Sequence, residues 1–206
     1  MELTWYGLSC FKINERGLSS IVTDPYDAGF GLELPRLKAD IVTQSNDSPA
    51  HNNLLAVNGV SQMLAGPGEY EIGGVFITGV GSRGKERNTS FRFDLNGLTV
   101  VHVGRMTKLP SQARIEALGE VNVLLLPVGG GNRLNGAQAA ELVAMIEPGI
   151  VVPMHYAMDG IEAELEGVER FLNEMGSADV EPTSSLRLSK SNVPEETQTV
   201  LLTPKL

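Results

Sequence analysis

The sequence predicts an α+β fold in which two mixed sheets pack face to face with helices outside. Short strands separated by turn residues fill the first half of the 206-residue chain, and strands alternating with helix-period segments fill the second. Composition supports the same fold class. A hydrophobic content of 42% over this length can bury a substantial core within one domain covering residues 1–206.

Residues 3–13 and 18–23 read as a hairpin turned by Asn14-Glu15-Arg16-Gly17, and 41–43 as a short buried strand entering a polar turn. A brief helix over 52–57 would cover the end of that strand. Strands follow at 62–65, 70–80, 89–95 and 98–103, with Asn96-Gly97 supplying a two-residue hairpin signal. Pro110 precedes a short helix at 111–118, 121–127 is an apolar strand, and 136–146 repeats apolar residues at helical spacing. The strand 149–153 comes next. Residues 161–175 read as an acidic amphipathic helix ending before Gly176, its charge marking a solvent face. Strands at 186–188 and 199–202, joined by a loop at 189–194, close the sheet.

The formal charge of -9 argues against a general nucleic-acid surface, since phosphate neutralisation needs clustered Lys and Arg. The nearest basic run is Arg83-Gly84-Lys85-Glu86-Arg87, expected as a solvated loop that could also receive an anion. No run of about 18 apolar residues is present to span a bilayer, and the start lacks the basic and apolar regions of a signal peptide. A cytoplasmic protein is therefore expected. Cys10, between apolar neighbours, reads as a buried small hydrophobe.

Six segments carry a resemblance. The first is Ala39-Asp40-Ile41-Val42-Thr43-Gln44-Ser45-Asn46-Asp47-Ser48-Pro49-Ala50-His51-Asn52-Asn53, a strand running into a polar turn. The others are the opening Leu3-Thr4-Trp5-Tyr6-Gly7-Leu8-Ser9-Cys10-Phe11-Lys12-Ile13, Thr23-Asp24-Pro25-Tyr26, Gly66-Pro67-Gly68-Glu69-Tyr70-Glu71, and the late loops Leu125-Leu126-Pro127-Val128-Gly129-Gly130-Gly131 and Val152-Pro153-Met154-His155-Tyr156. Together they resemble the metallo-β-lactamase-fold hydrolases, in the small bacterial branch similar to ascorbate-6-phosphate lactonase-like proteins. The resemblance implies an αββα sandwich. It also implies a site for one or two divalent metals, held by a His-x-His-x-Asp-His turn and ligands from later loops.

Most of those ligands are replaced. The resemblance puts Asn46 and Ser48 where two imidazoles of a first metal would stand, and the mid-chain loop 79–84 contains no His. For a second metal, Ala50 stands for the carboxylate, Arg105 after Gly104 for the bridging Asp, and His51 and His155 alone remain. Leu8 stands where the branch often has His. Zinc favours imidazole, thiolate and carboxylate ligands, and a guanidinium at a bridging position repels a dication. His102 reads as a hydrogen-bonded packing residue, and Gly129-Gly130-Gly131 as a tight turn able to cradle an anion.

The expectation is a catalytically degenerate member that has lost metal-dependent hydrolysis, carries no cofactor, and serves binding or assembly, including as a homo-oligomer. In that case Arg105 would fill the vacated position and pair with Asp24 or Asp47. The alternative is a weak or atypical hydrolase. It would hold zinc or manganese through His51, His155 and a recruited Asp24 or Asp47, or set Arg105 and both histidines on an anionic ester or lactone.

Overall fold

The computed structural model describes residues 1–82, 87–161 and 163–206. The chain opens with β1 (Glu2–Trp5), β2 (Phe11–Asn14) and β3 (Ile21–Thr23), followed by β4 (Leu37–Lys38), β5 (Ile41–Thr43), β6 (Val57–Asn58) and β7 (Gln62–Leu64). Antiparallel strands β8 (Gly68–Ile72), β9 (Val75–Gly81), β10 (Thr89–Leu95) and β11 (Leu98–His102) come next. The second half alternates α1 (Gln112–Glu116), β12 (Val123–Pro127), α2 (Gly136–Ile146), β13 (Ile150–Met154) and α3 (Glu169–Glu174), and ends on β14 (Leu186–Arg187) and β15 (Gln198–Thr199).

One sheet has the order β14-β1-β2-β3-β5-β7 and the other β15-β13-β12-β11-β10-β9-β8. Each mixes parallel and antiparallel pairs, with β3, β5 and β7 parallel in the first and β11, β12, β13 and β15 parallel in the second. Strands β11, β12 and β13 are buried at every position, as parallel strands covered on both faces must be. β10 alternates instead, turning Phe91, Phe93 and Leu95 inward. These side chains join Trp5, Phe11, Ile13, Ile21 and Ile41 of the first sheet in one core, which makes the fold the predicted α+β sandwich.

The outer layers differ. Helix α2 is fixed by a capping box in which the Asn135 side chain accepts from the Gln138 amide, and it buries Ala139, Leu142 and Val143. On the far face of the first sheet, Leu8, Cys10, Val22, Tyr26, Val42 and Ala50 form a second cluster. Its cover is not an α-helix. Two single 3-10 turns, Ala28–Phe30 and Leu54–Ala56, and the paired strands β4 and β6 lie in that part of the chain, so the helix expected over 52–57 is one turn followed by a strand.

Three further expectations need correction. Residues 3–13 are two strands, because Gly7 and Leu8 both take positive φ and turn the chain back between Trp5 and Phe11. Residues 70–80 also split. Gly73 and Gly74, with φ of 53° and 79°, form the two-residue turn that pairs β8 with β9. The acidic helix expected over 161–175 survives only as Glu169–Glu174. Upstream, the Glu166 amide donates to Gly129 O and its carbonyl accepts from the Ala157 amide, so this backbone is spent on closing a loop. No described helix is long and apolar enough to cross a membrane.

Candidate functional site

The site gathers where strands end. Asp24 follows β3, Ser45 and His51 follow β5, Arg105 follows β11, Arg133 follows β12, His155 follows β13, and Ser9 lies in the loop between β1 and β2. Leu8, Asp24 and His155 adopt left-handed backbone, with φ of 45°, 42° and 54°. Such conformations persist only where surrounding bonds over-determine them. Here the Asp24 amide donates to Thr43 O at 2.9 Å, and the His155 amide donates to Leu8 O at 3.1 Å.

Asp24, fully buried, is the centre of the network. It accepts from the Ser45 amide at 2.7 Å, the Ser45 hydroxyl at 2.5 Å and His51 Nδ1 at 2.8 Å. Burial pushes its pKa up, but the charges of His51 and His102 and the bonds from His51 and Ser45 outweigh it and hold the carboxyl below its ordinary range. With Nδ1 committed to Asp24, His51 Nε2 lies buried with no hydrogen-bond partner among the described residues. The His155 ring stacks beside it, centroids 5.2 Å apart and planes 22° off parallel.

His155 Nδ1 and the Ser9 hydroxyl are bonded at 2.8 Å. Burial, then the charges of Arg133, His51 and Arg105, lower the His155 pKa well below that of a free imidazole, so the ring is neutral. His102 Nε2 donates to Ser9 O at 3.0 Å and its Nδ1 accepts from the Gly104 amide at 3.2 Å. That ring is satisfied on both sides by backbone. Its own pKa is lowered by burial against the opposing pull of Asp24.

The structure thus brings His51, His155, Asp24 and His102 together. Asn46 caps its own turn, accepting from the Ser48 amide at 2.9 Å and donating to Arg87 O at 2.6 Å. Ala50 packs in the second apolar cluster. Asp47 is exposed and accepts from Gln44 Nε2 at 2.6 Å, which takes it away from the cluster's chemistry. The expected pairing of Arg105 with Asp24 or Asp47 is not formed. The ion pairs among the described residues do not include Arg105, because Ser45 and His51 already occupy Asp24. In the basic run, residues 83–86 lie outside the described residues, whereas Arg87 is exposed.

Three residues of the site escaped the sequence reading. Ser9 and Ser45 matter through bonds that join distant segments, for which a serine in a sequence gives no signal. Arg133 sits two residues after the triple glycine, and a cation beside a loop able to approach an anion was the available clue. As metal donors, the cluster offers two imidazoles and one carboxylate, and that carboxylate is engaged by Ser45 and His51. Among the described residues no group of three or more His, Cys, Asp or Glu is placed to hold a metal ion. These residues do not reproduce the donor set that the fold's metal centres use.

The two mixed sheets with loops converging at their strand ends define a metallo-β-lactamase-type sandwich. The sequence matches the family model for a beta-lactamase superfamily domain over residues 2–155, and the chain belongs to that superfamily. A UPF0173 protein of Pyrococcus abyssi is 27% identical over 195 residues, covering 84% of this chain and 90% of its own length. A UPF0173 metal-dependent hydrolase of Methanoculleus marisnigri is 28% identical and is covered over 92% of each chain. Among solved structures, a proposed zinc-dependent hydrolase of the metallo-β-lactamase superfamily from Thermotoga maritima is similar with a TM-score of 0.82 and 31% identity, covering 98% of this chain and 97% of its own.

Proposed function

We propose that this protein is a binding member of a hydrolase superfamily, one that has lost metal-dependent hydrolysis and retains the pocket at its strand ends. The carrying observation is the state of Asp24, the one buried carboxylate among the described residues. Asp24 already accepts from Ser45 and His51, and the cation Arg105 stands where the resemblance calls for a bridging Asp. A dication at His51 Nε2 would face the guanidiniums of Arg105 and Arg133, with no free carboxylate among the described residues at the site to offset its desolvation. In this reading Asp24 and Ser9 hold the two buried imidazoles in place behind the strand-end loops that carry Arg105 and Arg133.

Metal analysis of protein purified without chelator, followed by zinc titration calorimetry, tests this. The expected result is no stoichiometric zinc, manganese or iron and no tight saturable uptake. A structure with a metal about 2.0 to 2.2 Å from both His51 and His155 would refute it.

One observation favours the second reading, an atypical hydrolase holding a single metal. Asp24 on Nδ1 leaves His51 Nε2 bare, which is how a carboxylate commonly orients a ligating imidazole. There His51 and His155 would hold the ion with a recruited carboxylate, and the ion would supply an activated water. Tight zinc uptake lost in His51→Gln would establish that alternative.

A further inference from the structure

A cavity of about 960 Å³ has a wall that includes Arg87, Arg105, Lys108, Arg114 and Arg133, and the charges of Arg105 and Arg133 reach His155. Among the described residues no Asp or Glu lines it. These are five of the 16 Lys and Arg in a chain of formal charge -9, so cations are concentrated in this cavity against the sign of the whole molecule. None of the five belongs to an ion pair among the described residues.

Arg105 and Arg133 are the most demanding of them. The Nε of each is buried without a hydrogen-bond partner among the described residues. Burial, together with the charge of Arg105, brings the Arg133 pKa down to about 10. Two half-buried guanidiniums that each bury an Nε and feel one another's charge are costly unless an anion joins them, and their forked donors suit a planar or tetrahedral oxyanion. The loop that carries Arg105 is preformed. Asn88 Oδ1 accepts from the Arg105 amide at 2.7 Å while Asn88 Nδ2 donates to Val103 O at 2.9 Å.

Apart from these cations and several Ser, Thr and Asn side chains, one side of the wall is apolar, built by Val101 of β11, Val103 just after it, Leu118 after α1, and Leu142 and Ile146 of α2. A bare inorganic ion would leave that surface uncovered. We propose that the cavity binds a small amphipathic organic anion, its carboxylate or phosphate monoester head on Arg105 and Arg133 and its apolar body along the β11 and α2 wall. This deepens the binding reading above by naming a ligand class, and it does not depend on the state of the metal positions.

The test is calorimetric titration of the full chain with octanoate, octyl phosphate and the neutral analogue octanol. Saturable binding of at least one anion at one site per chain is expected, with octanol at least about tenfold weaker, and the preferred head group separates carboxylate from phosphate ligands. Arg105→Gln and Arg133→Gln should each weaken the anion about tenfold or more, whereas Arg187→Gln, at an exposed pair with Glu2, should not. Raising ionic strength on the unaltered protein should weaken the anion and spare octanol, which keeps the test decisive if a variant does not fold. Octanol binding as tightly as both anions, indifference to Arg133→Gln, or no saturable anion binding would overturn the proposal. Zinc titration of the same sample separates the two readings. Tight zinc uptake with anion binding intact refutes only the loss of metal, and absent anion binding without zinc uptake refutes only the ligand.

Discussion

Asp24 and Arg105 make opposite demands on the same small volume, and the structure meets only one of them. The carboxylate is sealed from solvent with a donor on each oxygen, so removing it strips His51 of its partner and leaves the Ser45 amide and hydroxyl facing nothing. Asp24→Ala should therefore cost about 3 to 5 kcal/mol in urea unfolding, as expected when one partner of a buried pair is removed. Arg105, lacking a carboxylate partner, should lose less than about 1 kcal/mol as Arg105→Ala. Equal losses in the two variants would mean that the guanidinium is paired after all. The identities of His51, His155 and Arg105 as one site were legible because each replaces or retains a position in a resembled motif. The allocation of Asp24 was not. Ser45 competes for it through a backbone amide as well as a hydroxyl, and no residue type advertises where its backbone amide points.

At the level of elements, the loops after β12 and β13 hold one another in place, and that contact positions His155. A Cβ added at Gly129 would collide with the His155 carbonyl, and Gly129 O also accepts from the Glu166 amide at 2.8 Å. Gly129→Ala should cost about 1 to 3 kcal/mol by forcing the two loops apart. It should also shift the His155 imidazole resonances in an NMR spectrum, whereas Asn135→Ala, which removes the α2 cap, should cost about 1 kcal/mol and leave them in place. A common shift in both variants would point to general loosening instead. Helix α2 was readable because its cap, its apolar period and its length agree. The helix expected over 161–175 was not, since Gly167 lowers its local preference and the Glu166 backbone is drawn onto Gly129. The Gly73-Gly74 turn was visible as a dipeptide but stood inside an apolar run that read as one strand.

Across the whole molecule, acid should unfold this protein in two stages that begin at different groups. His102 and His155 have folded pKa values below the ordinary imidazole value, both chiefly through burial and His155 also through Arg133, His51 and Arg105. The unfolded chain takes up protons below about pH 6.5 that the native rings refuse, so stability starts to fall there and keeps falling down to the folded values. Asp24 is lowered as well, which places its contribution at and above about pH 4 and removes it as pH drops through its folded pKa. The melting temperature should accordingly be level between about pH 8 and 7 and decline from about 6.5. His155→Asn keeps a residue tolerant of left-handed backbone and removes one titrating ring, so it should flatten the upper part of that decline and leave the lower part, set by Asp24. The net charge acts in the other direction over the same range. As pH approaches the sequence pI of about 4.8, the -9 charge shrinks and self-repulsion with it, which favours the compact state. The histidine contribution is therefore read as the difference between wild type and His155→Asn at fixed ionic strength, since the global term is common to both. Parallel curves for the two proteins between about pH 6.5 and 5 would show that His155 is not held neutral by its burial among the arginines.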